Sequence, residues 1–432
     1  MNSHALARTT ASVGSYHYRP LPLALLNRWG EGLKRLGAGG DALQASALLS
    51  AARAQTGLSD FGDESFREAL GVLLRSIERE ANLHTVGKLI TKARLTRSLT
   101  TRLLLQDAIK RHPEVFESEL PAPIVIAGLQ RTGTTMLHRL LASDTGLRSL
   151  RSYEAIAPMA PERSFFSRFH GHDARWLEAK LSERALLYMA PDFFAIHPVE
   201  ADAPEEDVLL LDYSFLSTVP EATLHVPSYA HWLEQQDQTP AYRLLDLMLR
   251  WLSHRQGPKR WVLKTPHHLE HLDVLRKVFP DARVIQTHRD PSQTLASFCS
   301  MIWHSRGVFS DSVDPHEIGR HWSRKVSRML ERALEVRKRD GERGFVDVSY
   351  EDLIAAPLEA LEKLYVKLGL ELRAEARWAM TETLLRSPQH KYGRHQYQLE
   401  DFGLSNEQTL EMFAEYRKSL AVNAVFSGLA SR

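Results

Sequence analysis

The chain has 432 residues, of which 43% are hydrophobic and 25% charged, and its formal net charge is +2. That length allows one large domain or two with a sizeable core, and near-neutrality leaves no overall field to favour nucleic acid or an anionic surface. Cys299 is the only cysteine, which excludes intrachain disulfides and cysteine-clustered metal sites.

Residues 1 to about 20 carry Ser, Thr, His, Gly and Pro without a period, and no apolar stretch of leader length follows. The LPLALL run breaks at once into Asn27, Arg28 and Trp29, and nothing approaches the ~20 apolar residues of a membrane span. A soluble, cytoplasmic protein is the expectation. From 41 to 112, ALQASALLSAARAQTG, ESFREALGVLLRSIEREA and LTTRLLLQDAIKRH place apolar residues three and four apart, which predicts helices. SELPAPI then ends the helical region with Pro121 and Pro123.

A different pattern begins at Ile124. Ile124–Ala127 predicts a short buried strand, a glycine-bounded loop follows, and MLHRLLAS predicts a helix. Such a strand, loop and helix N-terminus converge backbone N–H groups and a helix dipole on one point, which suits a phosphate. Gly128 to Gly133, then Thr134 and Thr135, nearly fit G-x-x-x-x-G-K-[ST], but Thr134 stands where a nucleotide triphosphatase has its lysine. Arg131 offers a planar cationic fork instead. Between Tyr153 and Trp251 aromatic residues concentrate, either to wall an acceptor pocket or to fill core. WVLK at 261–264, ARVIQTHR at 282–289 and FVDVSY at 345–350 predict further strands. LEHLDVLRKVF at 269–279 and PLEALEKLYVKLGL at 357–370 predict helices. Strands alternating with helices imply a mostly parallel sheet with crossover helices, an α/β fold.

Three later segments carry chemistry. In THRDPSQTLASF, Arg289 leaves a strand's C-terminal edge and Ser297 lies eight positions on in a helix, so both could hold one phosphate; a capped helix start, with Asp290 as N-cap and Pro291 in the first turn, is the plainer reading of Arg-Asp-Pro alone. In LKTPHHLEHL, Lys264 could neutralise a transferring anion and His267 or His268 could act as a base. His267 and His271, four apart on one helix face, raise zinc as a competing idea, while surface capping is the common fate of each histidine singly. In YEDL, Tyr350 at a strand end can stack against a base or sugar.

Together and in this order these segments resemble the sulfotransferases that use 3′-phosphoadenosine 5′-phosphosulfate (PAPS). GLQRTGTT is similar to that family's 5′-phosphosulfate loop, THRDP with Ser297 to its 3′-phosphate site, and YEDL followed by a proline to a third segment. LHRLLASD, HPVEADAPEED, KTPHHLEHLDVLRKVFPDARVIQTHRDP and HKYGRHQYQLEDFGLS resemble the bacterial branch. The resemblance implies a P-loop-like sulfotransferase domain over 121–432, behind a helical extension over 1–120. It implies Arg131, Thr132, Gly133, Thr134 and Thr135 at the 5′ end of the donor, Arg289 and Ser297 at its 3′-phosphate, Tyr350 near the adenosine, and no metal. The cytosolic Lys-Thr-His motif is departed from, since Pro266 delays His267 by one position. Glu154, in RSYEAIAP, is similar in position to the glutamate of the tyrosyl-protein branch. The expected catalytic set is therefore Glu154 ahead of His267 as base, with Lys264 and Arg131 offsetting charge, and Glu205 and Glu206 held in reserve. The expected acceptor is a small, partly apolar organic molecule with a hydroxyl, or secondarily an amine. The amphipathic N-terminal helices would shape the acceptor side or a homo-oligomer interface. The rivals are a P-loop kinase and a non-catalytic nucleotide-binding protein of the same fold.

Overall fold

The computed structural model describes residues 18–36, 43–159, 174–254, 257–386 and 397–422. The loose arm expected before residue 20, and the first residues of HKYGRHQYQLEDFGLS, fall mostly outside them.

Five strands form one parallel sheet in the order β2-β3-β1-β4-β5, with β1 Ile124–Ile126, β2 Leu147–Ser149, β3 Arg260–Lys264, β4 Arg283–His288 and β5 Phe345–Ser349. The central strand is apolar at every position because both its faces are covered. Alternation then sorts its side chains. Val125 joins Trp261, Leu263 and Val284 in one buried cluster, while Ile124 and Ile126 join Val262, Ile285, Val346 and Val348 in another.

The first cluster is roofed by the N-terminal helices α2 Ala45–Thr56, α3 Phe66–Glu80 and α4 Thr85–Arg111, against the last of which α1 Leu21–Arg35 packs, and by the long helices Pro291–Gly307 and Pro315–Asp340. After the short helix α5 Pro113–Glu117 the chain enters β1. The second cluster is covered by α6 Thr134–Leu141 and the helices Pro357–Leu368 and Ala374–Arg386. The predicted α/β architecture is thus the observed one. No described helix is long and apolar enough to cross a membrane.

Local differences have physical causes. The helix α1 was not expected over LPLALLNRWG. Pro22 starts it, and buried Asn27 ties it down by accepting from the Val86 backbone N–H at the start of α4 (3.0 Å). The helix α4 begins well before LTTRLLLQ, where the His84 ring accepts from the Gly87 N–H. The single helix expected over 269–279 is a 3-10 turn, Pro266–Glu270, and a separate helix, Leu272–Val278, broken at His271. The strand β2 went unread because Leu-Arg-Ser has no apolar run.

Of the aromatic residues between 153 and 251, Tyr213, Phe215, Tyr229 and Tyr242 are buried in the first cluster. They fill core, the plainer of the two expectations. Residues 160–173 lie outside the described residues.

Candidate active site

The C-terminal ends of β2, β3, β1, β4 and β5 make one edge, with β1 in the middle. Open parallel sheets bind ligands along that edge, where neighbouring crossovers diverge. The chain leaves β1 through Ala127–Gly133 into α6. Arg131 and Gly133 take positive φ angles of 68° and 85°, a conformation that costs a non-glycine residue about 1 kcal/mol or more. Gly128 packs against the Thr287 hydroxyl, where a β-carbon has no room. Thr132 is buried, donates to the Leu129 carbonyl (2.6 Å) and lies 2.7 Å from Thr287 Oγ1, so the loop is pinned to β4. At the start of α6 the Gly133 N-cap offers no side chain to its first N–H groups, so they and the positive end of the helix dipole face the loop.

On the β4–β5 side, Arg289 Nη1 donates to the Arg131 carbonyl (3.0 Å), and its guanidinium carbon lies 4.1 Å from the centre of the Tyr350 ring. Its Nε is buried without a hydrogen-bond partner among the described residues. A β-carbon on Gly133 would stand 3.0 Å from Leu353 and 3.3 Å from Tyr350. Loop, Arg289 and Tyr350 thus form one cluster that leaves guanidinium donors for a second anion. Asp290 caps the helix Pro291–Gly307 by accepting from the Ser292 N–H (3.0 Å), as the plainer reading of Arg-Asp-Pro had it. Ser297 is buried in that helix.

The β3–β2 side is built around Lys264, which pairs in register with Ile126. The acidic segment HPVEADAPEED is strapped alongside the residues after β2. The Ser152 N–H donates to the Ala203 carbonyl (3.0 Å), and the Glu205 N–H to the Leu150 carbonyl (2.8 Å). This brings two carboxylates to Lys264: its Nζ donates to Glu206 Oε1 (2.6 Å), and its backbone N–H to Asp207 Oδ1 (2.7 Å). Asp207 Oδ2 lies 2.9 Å from His268 Nε2, and His268 Nδ1 is hydrogen-bonded to the Tyr242 hydroxyl (2.8 Å). Asp207, His268 and Tyr242 have no exposure at all. Burial pushes the Asp207 carboxyl up, but His268 and the Lys264 N–H outweigh it and hold the group below the usual carboxylate range.

The two favoured bases sit differently. Glu154 is 2% exposed and both its oxygens are engaged: Oε1 accepts from Arg148 Nη2 (3.0 Å), and Oε2 from the Arg151 N–H (3.0 Å) at the start of α7 Ser152–Ile156. Arg148 is in turn stacked on Trp261. His267 is not a surface cap. It is 1% exposed, its ring packs against His271 at 4.6 Å and Tyr242 at 6.4 Å, and neither ring nitrogen has a hydrogen-bond partner among the described residues. Burial, then the neighbouring histidines, hold its pKa well below the ordinary value. No described group of histidines and carboxylates has metal-holding geometry.

Residues 123–374, which contain every site residue named above, match the sulfotransferase family. The chain belongs to that family. The crystal structure of the sulfotransferase STF1 from Mycobacterium tuberculosis H37Rv is 37% identical, covers 86% of this chain and 98% of its own, and superposes with a TM-score of 0.76. That of the sulfotransferase STF9 from Mycobacterium avium is 28% identical, covers 88% and 97%, and reaches a TM-score of 0.79. The omega-hydroxy-beta-dihydromenaquinone-9 sulfotransferase Stf3 of Mycobacterium bovis is 29% identical over 264 residues, 57% of this chain. The chain spans 63% of that relative's length. Both crystal structures reach beyond 123–374, so these sulfotransferases share part of the flanking helices as well.

Within the sulfotransferase family frame, sequence reasoning missed Asp207, Tyr242 and His138. The last is buried on α6, close enough to Lys264 to feel its charge. The acidic run at 200–207 was the available signal for Asp207. Its partners lie some sixty residues on, and only the fold joins them.

Proposed function

We propose that the chain moves a sulfuryl group from PAPS to a hydroxyl on an apolar organic acceptor, releasing adenosine 3′,5′-bisphosphate. The observation that carries this reading is the cluster of Arg131, Gly133, Arg289 and Tyr350. It pairs a lysine-free phosphate loop with a separate cationic fork one strand away. A donor with phosphate at both its 5′ and 3′ ends needs two such anion positions, whereas a P-loop kinase needs its loop lysine. Thr132, Thr134 and Thr135 line the 5′ position, with Ser297 assigned to the 3′-phosphate. Arg131 and Lys264 would meet charge that grows on the sulfuryl and bridging oxygens as transfer proceeds. The acceptor class follows the menaquinone-directed relative, so a hydroxyl on an isoprenoid chain is favoured over an amine.

Equilibrium binding tests the donor half. Adenosine 3′,5′-bisphosphate should bind without Mg²⁺ and far more tightly than ATP with Mg²⁺; the reverse order would return the kinase reading. Incubation with ³⁵S-labelled PAPS and a lipid extract tests transfer. Tight bisphosphate binding without any labelled product, over a broad acceptor panel, would leave a non-catalytic nucleotide-binding protein.

A further inference from the structure

If the sulfuryl-transfer reading holds, the site still needs a group to take the acceptor's proton. A base must present an atom that an incoming hydroxyl can reach. Glu154 has both oxygens bonded within the protein, and His267 is enclosed between Tyr242 and His271. Glu206 differs from both. Its side chain is 22% exposed, Oε1 is held by Lys264, and Oε2 makes no hydrogen bond among the described residues. It also stands at the strand end that carries the phosphate loop, because Lys264, which holds it, pairs with Ile126, the last residue before that loop.

We infer that Glu206 is the proton acceptor of this site, and that Asp207 is a positioning residue that holds it against Lys264. The acceptor hydroxyl would give its proton to Glu206 as its oxygen bonds to sulfur. The bond from sulfur to the 5′-phosphate oxygen breaks, and that electron pair leaves with the bisphosphate. Lys264 would serve both events: it fixes the carboxylate that gains a proton, and its ammonium would offset charge on the leaving oxygen. The backbone on either side of Glu206 is anchored. Glu205 is bonded to Leu150, and Asp207 is held by the Lys264 N–H and by His268, which Tyr242 in turn orients. This locking is what a base aimed from a loop requires, since loose aim forfeits most of the rate.

The test measures bisphosphate affinity and turnover separately, with ³⁵S-labelled PAPS and geranylgeraniol as a terminally hydroxylated prenyl probe. Glu206→Gln keeps the shape and should bind bisphosphate like wild type while kcat falls by about 10²–10⁴-fold. In Glu206→Ala, added formate should restore part of the turnover, a rescue that a merely structural role would not give. Asp207→Asn should lower kcat while the donor KM stays near wild type. A Glu206→Gln enzyme with kcat within about threefold of wild type overturns the assignment. So does a folded Glu206→Ala enzyme that formate leaves dead. Wild-type protein that binds no bisphosphate overturns the donor reading itself, and this inference with it.

Discussion

Arg289 is held by the Arg131 carbonyl and the face of Tyr350, so its guanidinium is aimed before a ligand arrives. Arg289→Ala should weaken adenosine 3′,5′-bisphosphate binding by about 1.5–3 kcal/mol, the range of a charge-assisted hydrogen bond. Arg289→Lys should recover only part of that, because an ammonium keeps the charge but neither the fork nor the stack. Calorimetric titration of both variants checks the order, and equal affinity in all three proteins would remove Arg289 from the site. His138 makes a prediction of another kind. Burial, reinforced by the Lys264 charge, lowers its pKa from 6.5 to about 3, and burial lowers His84 to about 4. Above pH 6.5 both histidines are neutral, folded or unfolded. Below it the unfolded chain takes up protons that the folded chain refuses, so stability falls as pH drops, by up to about 1.4 kcal/mol per pH unit for each group. The loss should run from pH 6.5 down towards the folded values. Thermal unfolding midpoints followed from pH 7.5 to 4.5 should decline less steeply in His138→Gln than in wild type. Parallel curves would show that this ring does not contribute.

The loop between β1 and α6 depends on backbone conformation more than on side chains. Gly133→Ala would force a β-carbon into the left-handed region at φ 85° and against Leu353 and Tyr350. The strain alone is about 1–2 kcal/mol, small enough for the fold to survive. Bisphosphate affinity should drop with it, since Tyr350 must move, and an alanine variant that binds normally would show the loop to be only a turn. The Pro266–Glu270 turn beside Lys264 relies on charge instead. Lys325, 1% exposed, lies 3.0 Å from Glu270, 3.3 Å from Glu234 and 3.4 Å from Glu221. Lys325→Met leaves these buried carboxylates without their shared cation and should cost about 3–5 kcal/mol, read as a lower urea midpoint. An unchanged midpoint would mean that Arg324 and Arg328 suffice. These two elements mark how far the sequence could be read. The strands β1, β3, β4 and β5 were legible as apolar runs, and the loop as glycine spacing, because both signals are local. The Lys325 cluster and the Asp207–His268–Tyr242 chain join segments far apart, and no local period encodes such pairs. Glu154 lies between these cases. It stands three residues after Arg151 and accepts that residue's backbone N–H at a helix start, but no Ser, Thr, Asp or Asn in the capping position marked the start.

At the scale of the whole molecule, the pattern change near residue 120 does not divide the core. Leu48, Leu70, Leu99 and Leu103 from the N-terminal helices share one buried cluster with Val125, Trp261 and Trp322. Deleting residues 1–117 would strip one face of the sheet, so a fragment starting at Ser118 should populate a loosely packed state. Loss of its near-ultraviolet circular dichroism would show this, whereas a cooperatively unfolding fragment that binds bisphosphate would establish an independent donor domain. The strand order has a consequence for how such a chain is made. The central strand is translated first, and its neighbour β3 begins about 130 residues after β1 ends. At synthesis rates of roughly 5–20 residues per second, the Ile-Val-Ile segment waits on the order of ten seconds with both hydrogen-bonding edges open. By then Val125 has only the N-terminal part of its helical cover, and Ile124 and Ile126 have only α6, because Val262, Ile285 and the helices Pro291–Gly307 and Pro315–Asp340 are still to come. Nascent chains stalled before Arg260 should therefore be captured by holding chaperones, and those stalled well past His288 should be released. Where ribosomes pause along this message would then govern how much protein survives to bind anything.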